Sequence, residues 1–127
     1  MEWEKLRNIA VVGLSDNPDR PSYRVAKYMQ DCGFKIIPVN PAVEEVLGER
    51  SYPEIKDIPQ SVKVDVVDIF RKSEAVLPIV EQALARGGVR LIWMQEGVVN
   101  EQAAALARSA GLEVVMDLCI KKEYARR

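Results

Sequence analysis

Histidine is absent from the 127 residues of the chain. Without an imidazole the chain cannot by itself carry out Ser-His-Asp hydrolysis or transfer phosphate through phosphohistidine. Cysteine is nearly absent too, because only Cys32 and Cys119 are present, and two cysteines without histidine cannot make an ordinary zinc site. We therefore expect no metal centre, and no catalytic residue that depends on imidazole chemistry.

Long apolar runs and an excess of either charge are also missing. No run approaches the roughly 20 residues that a membrane span needs. Eighteen basic and nineteen acidic side chains leave a formal charge of −1, so no general positive potential attracts nucleic acid or an anionic membrane. Residues 1–8 match neither a signal peptide nor a transit peptide. We expect a cytoplasmic protein with a small-molecule ligand and no nucleic-acid or membrane partner; a homodimer stays open.

The composition that remains is that of a globular domain. Apolar residues make up 48% of the chain and charged residues 29%, a balance typical of a packed core rather than of disorder. A chain of this length supports one core. We expect one domain over residues 1–127.

Strand-like and helix-like segments alternate along the chain. Apolar runs predict five strands, at 9–12, 35–39, 64–70, 89–94 and 113–116. Helices are expected from Pro21 to Gly33, from Ser73 to Arg86 and from Asn100, a good amino-terminal cap, to Ala110. The segment 42–60 is expected to hold a short helical turn and loops, and residues 121–127 a charged tail.

This alternation predicts the α/β class: a single Rossmann-like domain, with a five-stranded parallel sheet and helices on both faces. In such sheets ligands lie outside the carboxyl ends of the strands. The loops that begin at Gly13, Asn40, Phe70, Gln95 and Asp117 are therefore the candidate binding loops.

The first loop runs directly into a helix, which makes it a natural seat for phosphate. Gly13, Ser15 and Arg20 would be its contacts, although a plain connecting turn is the alternative. A dinucleotide fingerprint is missing, because Gly13 stands alone and Asn40 replaces the acid expected after the second strand. A P-loop is missing as well. Hydride transfer with NAD is thereby disfavoured, and NAD or another nucleotide stays an alternative ligand.

Five segments together make a more specific pattern than one glycine loop. They read VGLSDNPDRPSYRV (12–25), PVNP (38–41), DIFR (68–71), WMQEGV (93–98) and MDLC (116–119). In this order they resemble the small CoA-binding domain proteins of bacteria and archaea, over nearly the whole chain. The resemblance implies coenzyme A as the cofactor and a fold related to the CoA-binding domain of the succinyl-CoA synthetase alpha subunit.

Positions carry over from that family one by one. The resemblance implies that Gly13, Ser15 and Arg20 lie at the diphosphate and that Asn40 and Pro41 approach the ribose. It also implies that Phe70 and Arg71 flank the adenine and that Gln95, Glu96 and Gly97 line the pantetheine arm. The set of cofactor-binding candidates is completed by three further residues of the first loop and helix: Asp16, Tyr23 and Arg24.

Several of these side chains have a structural alternative. Arg20, Arg24 and Arg71 are either a phosphate clamp or solvated surface charges. Tyr23 and Phe70 either stack on adenine or pack in the core.

The final motif departs from the family. The family often has arginine and proline where this chain has Leu118 and Ile120, so a positive charge is missing from that loop. Cys119 either meets the thiol of CoA and forms a mixed disulfide, or is buried and inert. Cys32, inside the first helix, is expected to be packing.

These observations favour a binding, carrier or regulatory module for CoA or an acyl-CoA over an enzyme. An accessory subunit of an acyl-CoA ligase or transferase is the alternative. Alternation along the third strand puts Asp65 and Asp68 on opposite faces, so they are not a catalytic pair. Glu96 has no partner that would make it an acid or base catalyst.

Overall fold

The computed structural model describes residues 1–127 and contains seven strands and four α-helices. The strands are β1 (Asn8–Val12), β2 (Lys35–Val39), β3 (Glu45–Val46), β4 (Glu49–Arg50), β5 (Val66–Ile69), β6 (Leu91–Met94) and β7 (Glu113–Val115). The α-helices are α1 (Pro21–Asp31), α2 (Val76–Arg86), α3 (Glu101–Ser109) and α4 (Ile120–Ala125). Short 3-10 turns cover Trp3–Lys5, Ile55–Asp57 and Ser73–Ala75. No helix is both long enough and apolar enough to cross a bilayer.

Five of the strands form one parallel sheet in the order β2-β1-β5-β6-β7. The chain leaves β1 toward β2 and later returns to the other side of β1 at β5, so the winding direction reverses between β1 and β5. This is a doubly wound sheet, and its ligand crevice is expected at that reversal. The predicted fold class, a single α/β domain with a five-stranded parallel sheet, is confirmed.

Helices cover both faces of the sheet because right-handed crossovers in opposite directions fall on opposite faces. Helices α2 and α3 pack on one face, where Val80, Ala83 and Ala104 meet the strands. Helices α1 and α4 pack on the other face, through residues such as Met29 and Ile120. The strands β1, β5 and β6 are therefore buried on both sides, which explains their uninterrupted apolar sequences.

Strand β2 accommodates Pro38 because it lies at the edge of the sheet. The carbonyl of Pro38 accepts a hydrogen bond from the Tyr52 N–H at 3.0 Å, on the side away from β1. In a strand the N–H and C=O of one residue point to the same side, so the missing N–H of Pro38 falls outside the sheet.

Two segments differ from the sequence-based expectation. Within 42–60, strands β3 and β4 form a small antiparallel hairpin around Leu47 and Gly48, both with positive φ. Two successive residues in the left-handed conformation make a tight hairpin turn. The sequence does not predict this turn, because leucine rarely adopts that conformation. The expected charged tail, residues 121–127, is mostly helix α4, which buries Ile120 and packs Tyr124 edge-on against Trp3.

Gly13 ends β1 at a point where two backbones nearly touch. Its φ is +86°, and a Cβ atom there would overlap the carbonyl oxygen of Phe70 and lie 3.1 Å from its carbonyl carbon. The Gly13 N–H donates to the Val39 carbonyl at 2.8 Å, and the Phe70 N–H donates to the Val12 carbonyl at 2.8 Å. Only glycine satisfies both the dihedral angle and the close approach.

A pair of glycine substitutions separates these two requirements. Gly111 also has positive φ, at +89°, but an added Cβ would meet nothing within 4 Å. Gly111→Ala should cost about 1–2 kcal/mol of unfolding free energy, and Gly13→Ala about 1–3 kcal/mol more because of the overlap with Phe70. Urea unfolding of both variants measures the difference; equal losses would mean that the approach to Phe70 is not a constraint.

Candidate functional site

The carboxyl ends of β1, β5 and β6 open onto a cleft made of two adjoining hollows. The first, the loop pocket, has a volume of about 390 Å³ and is lined by the loop after β1, the start of α1 and Phe70. The second, the side cavity, has a volume of about 550 Å³ and lies between α1, the ends of β5 and β6, and Cys119. Pro21 and Phe70 line both hollows, so the two hollows are adjacent.

The loop after β1 is held by its own polar side chains. The buried Ser22 hydroxyl accepts a hydrogen bond from the Ser15 N–H at 3.0 Å. The Ser15 hydroxyl accepts from the Asn17 N–H, and the Asn17 carboxamide oxygen accepts from the Asp19 N–H, both at 3.0 Å. The loop therefore has a fixed shape without a ligand. Ser22 was missed by the sequence analysis, although a serine at the start of a helix is a typical capping residue.

The first turn of α1 has backbone donors without partners. Arg20 is the cap residue, and its side chain makes no capping hydrogen bond. The N–H groups of Ser22 and Tyr23 make no hydrogen bond, and Pro21 has no N–H to satisfy. Ser22 lines the loop pocket, so the amino terminus of α1 presents unpaired N–H groups and a partial positive charge to that pocket.

Four cationic side chains surround the cleft, and none of them forms a salt bridge. Arg20 lines the loop pocket, and Arg71 and Lys72 line the side cavity. The Arg71 side chain turns back toward the first loop, because its Nε would lie 3.4 Å from a Cβ atom on Gly13. The Arg24 guanidinium donates to the Asp19 carbonyl. Positive charge is thus concentrated at the cleft, and the carboxylate that lines the side cavity, Glu96, pairs with Lys122 rather than with these cations.

The segment after β6 forms one wall of the cleft and is tied to the segment after β7. Gln95 is 4% exposed, and its Oε1 accepts from the Ile120 N–H at 3.1 Å. The Gly97 N–H donates to Asp117 Oδ1 at 2.7 Å. Glu96 pairs with Lys122 at 3.0 Å, and this hydrogen bond and charge raise the pKa of Lys122. Gln95 and Glu96 line the side cavity, whereas Gly97 supports the wall from behind.

The remaining candidates line neither the loop pocket nor the side cavity. Asn40 Nδ2 donates to the Leu14 carbonyl at 3.0 Å, and Asn40 Oδ1 accepts from the Ala42 N–H, so this side chain ties the end of β2 to the first loop. Pro41 and Asp16 are exposed, and Tyr23 is half-buried against the core under α1. The structure brings the first-loop residues, Phe70, Arg71 and Gln95 to one cleft and leaves Asn40 in a supporting position.

The two cysteines differ in accessibility and position. Cys119 is 6% exposed and lines the side cavity. Cys32 follows the last residue of α1 and is exposed, so the expectation that it packs inside the fold is wrong. The helix ends one residue before Cys32, which turns this side chain to solvent. No group of cysteine, aspartate and glutamate side chains has a metal-binding arrangement.

Asp68 is a buried carboxyl in the central strand β5. It is 1% exposed and lies between Val11 and Trp93 in the strand register. Its Oδ1 has no hydrogen-bond partner, and burial raises the pKa of Asp68 well above its usual value. Asp65 Oδ1 also has no hydrogen-bond partner, but its Oδ2 accepts two backbone N–H hydrogen bonds, from Arg7 at 2.9 Å and Asn8 at 3.0 Å. The two carboxyls are not a pair, as the alternation predicts.

Comparison with known proteins identifies the class of this site. Residues 7–125 match the model of the CoA binding domain family, and the chain belongs to that family. Protein YneT of Bacillus subtilis, described as uncharacterized, is 44% identical over 122 residues, which cover 96% of this chain and 88% of YneT. A hypothetical protein from Pyrococcus horikoshii superposes with a TM-score of 0.91 at 39% identity, covering 97% of this chain and 84% of that one.

A part of a larger enzyme is also similar. The alpha subunit of ADP-forming acetate–CoA ligase II from Pyrococcus furiosus is 37% identical over 67 residues, which are 52% of this chain but 15% of the subunit. The domain is thus related to the CoA-binding part of ADP-forming acyl-CoA ligases. The expected resemblance to CoA-binding domain proteins is confirmed.

The buried carboxyl of Asp68 predicts a specific pH dependence. Because folded Asp68 keeps its proton to a higher pH than the unfolded chain, the folded state binds more protons, and stability falls as pH rises through the interval between the two pKa values. Asp68→Asn removes this titration and should raise the melting temperature at neutral pH and flatten its decline above about pH 4. Thermal melts from pH 4 to 8 measure both.

Asp65→Asn is the matched control. That change weakens an acceptor that holds two backbone N–H groups, so it should lower the melting temperature. A lower melting temperature for Asp68→Asn at neutral pH would contradict a raised pKa and an unpartnered carboxyl at Asp68.

Proposed function

We propose that the chain binds coenzyme A, or an acyl-CoA, in the cleft at the carboxyl ends of β1, β5 and β6, and that it acts as a stand-alone binding, carrier or regulatory module. The observation that carries the proposal is the pairing of unsatisfied helix donors with unpaired arginines at the mouth of a cavity. CoA has the matching chemistry, since it joins a phosphate-rich nucleotide to a long, nearly neutral arm that ends in a thiol.

The loop pocket suits the diphosphate. The free N–H groups of Ser22 and Tyr23 can donate to phosphate oxygens, and the helix dipole adds favourable electrostatic energy. Arg20 lines the pocket, Arg71 Nε lies near Gly13, and neither side chain carries a salt bridge that a ligand would have to break. Guanidinium groups also bind phosphate in bidentate geometry.

The side cavity suits the pantetheine arm. It adjoins the loop pocket through Pro21 and Phe70, and its wall offers both apolar contact from Val25 and Val98 and an amide from Gln95. An arm with two amides and aliphatic links needs this mixture. The family resemblance assigns the ribose to Asn40 and Pro41 and the adenine to Phe70 and Arg71. The half-buried Phe70 ring at the junction is compatible with adenine stacking.

A second candidate function follows from the similarity to the acetate–CoA ligase subunit. In that case the chain supplies the CoA site and a partner chain supplies the phosphoryl chemistry, since this chain has no histidine. Incubation of the chain alone with acetyl-CoA, ADP and phosphate should produce no ATP. ATP formed by the pure chain would favour an enzyme over a binding module.

Substitution of the arginines tests the site. Arg71→Ala and Arg20→Ala should each weaken CoA binding about 10- to 100-fold, because each removes a charge-assisted contact worth about 1.5–3 kcal/mol. Arg108→Ala, an exposed arginine in the last turn of α3, is the control and should leave affinity unchanged. Calorimetric titration measures all three.

The choice of ligand sharpens this experiment. If Arg71 contacts the diphosphate above Gly13, its loss should weaken CoA and dephospho-CoA by the same factor. A larger loss of affinity for CoA than for dephospho-CoA would indicate that Arg71 contacts the 3′-phosphate instead.

Thermal melts with CoA, acetyl-CoA, NAD and ATP in parallel test the identity of the ligand, since a ligand at one hundred times its dissociation constant adds about 2.7 kcal/mol to the free energy of unfolding. Stabilisation by NAD alone would contradict the proposal.

A further inference from the structure

Cys119 has a setting that the binding role does not require. It is a free cysteine, 6% exposed, and the surface it retains faces the side cavity. The side cavity is therefore a route by which a reagent in solution reaches this residue. An inert core cysteine would have no such opening.

Gln95 gives independent evidence that the same cavity accepts a polar ligand. The residue is 4% exposed and lines the side cavity. Its Oε1 accepts a hydrogen bond from the Ile120 N–H, while its Nε2 donates to no protein group and is not among the fully buried unpaired atoms. This amide donor is therefore free for a partner that enters the cavity. An amide carbonyl in an arm entering the cavity would satisfy it.

We propose that Cys119 is a thiol–disulfide exchange site for the thiol end of the ligand, so that the protein captures CoA covalently when CoA is present as a disulfide. This inference rests on the proposed function, because the phosphate end must be seated in the loop pocket for the other end to reach Cys119. The two hollows share Pro21 and Phe70 in their linings, so an extended ligand seated in the loop pocket has the side cavity directly beside it.

The exchange balances without a further oxidant. The Cys119 thiol loses its proton, and the thiolate attacks one sulfur of a CoA-containing disulfide. The Cys119–CoA disulfide bond forms as the original disulfide bond breaks, and the other half leaves as a thiolate that takes up the proton. The two electrons of the broken bond leave with that half, and Cys119 is oxidised. A free thiol in solution reverses the step.

Cys32 is the internal control for this chemistry. It is exposed at the end of α1, so a reagent that selects by accessibility alone should modify it first. A reagent guided by the cleft should select the buried Cys119 instead. The order of reactivity of the two thiols therefore reports whether the cleft directs the reaction.

The test uses the reduced full chain and the symmetric disulfide of CoA, followed by intact mass and peptide mapping. We expect one CoA unit on Cys119, formed about tenfold faster than on Cys32, and removed by a thiol reductant. The small neutral reagent 2-hydroxyethyl disulfide should show the opposite preference. Desulfo-CoA, which lacks the thiol, should slow the Cys119 adduct about tenfold at ten times its dissociation constant. It should leave Cys32 unaffected.

The variants Cys119→Ser and Cys32→Ser complete the design. Cys119→Ser should still bind desulfo-CoA in calorimetry, which shows that the fold and cleft are intact, and should form no cleft-directed adduct. Modification mainly at Cys32, or a Cys119 adduct insensitive to desulfo-CoA, would overturn the inference. If desulfo-CoA binds but Cys119 stays unmodified, only this inference falls. If desulfo-CoA does not bind at all, the proposed function falls as well.

Discussion

The close contact between Gly13 and the backbone of Phe70 is the constraint on which the cleft depends. It joins the carboxyl ends of β1 and β5, while the Gly13 N–H holds the end of β2 through Val39. Three strand ends are thereby fixed at the reversal of the sheet, where a doubly wound fold presents its ligand crevice. Arg71 comes immediately after Phe70, so the same contact positions the Arg71 guanidinium beside the first loop.

The elements that position the cleft are also those that the sequence predicts well. Uninterrupted apolar runs mark β1, β5 and β6 because both of their faces are covered, and Asn100 caps α3 with an acceptor 2.9 Å from the Ala103 N–H, as its residue type indicates. The hairpin and α4 were missed for a different reason. Their apolar residues are few and are buried only by tertiary packing, as with Ile120 under a charged stretch.

The site was predictable at the level of loops and less so at the level of side chains. Strand order and the position of the glycine were enough to indicate the first loop. The roles of Asn40 and Gly97 could not be predicted, because both residues use their hydrogen-bonding groups within the protein. Asn40 donates to Leu14, and Gly97 donates to Asp117. Family motifs do not distinguish a residue that contacts the ligand from a residue that supports the ligand-contacting loop.

The buried carboxyl of Asp68 bears on the electrostatics of the cleft. It lies two residues before Phe70 in the strand that ends at the proposed phosphate seat, and an ionised Asp68 would place negative charge below an anionic ligand in a medium of low dielectric. Desolvation raises the pKa of Asp68 and so disfavours the charged form that would repel the ligand. Arg20 and Arg71 make no salt bridge within the protein. The one carboxylate that does line the side cavity, Glu96, is neutralised by Lys122 at the rim. Arg71 and Lys72 also line the side cavity and supply positive charge for the phosphate end of the ligand, while Val25 and Val98 offer apolar contact to an arm of amides and methylenes.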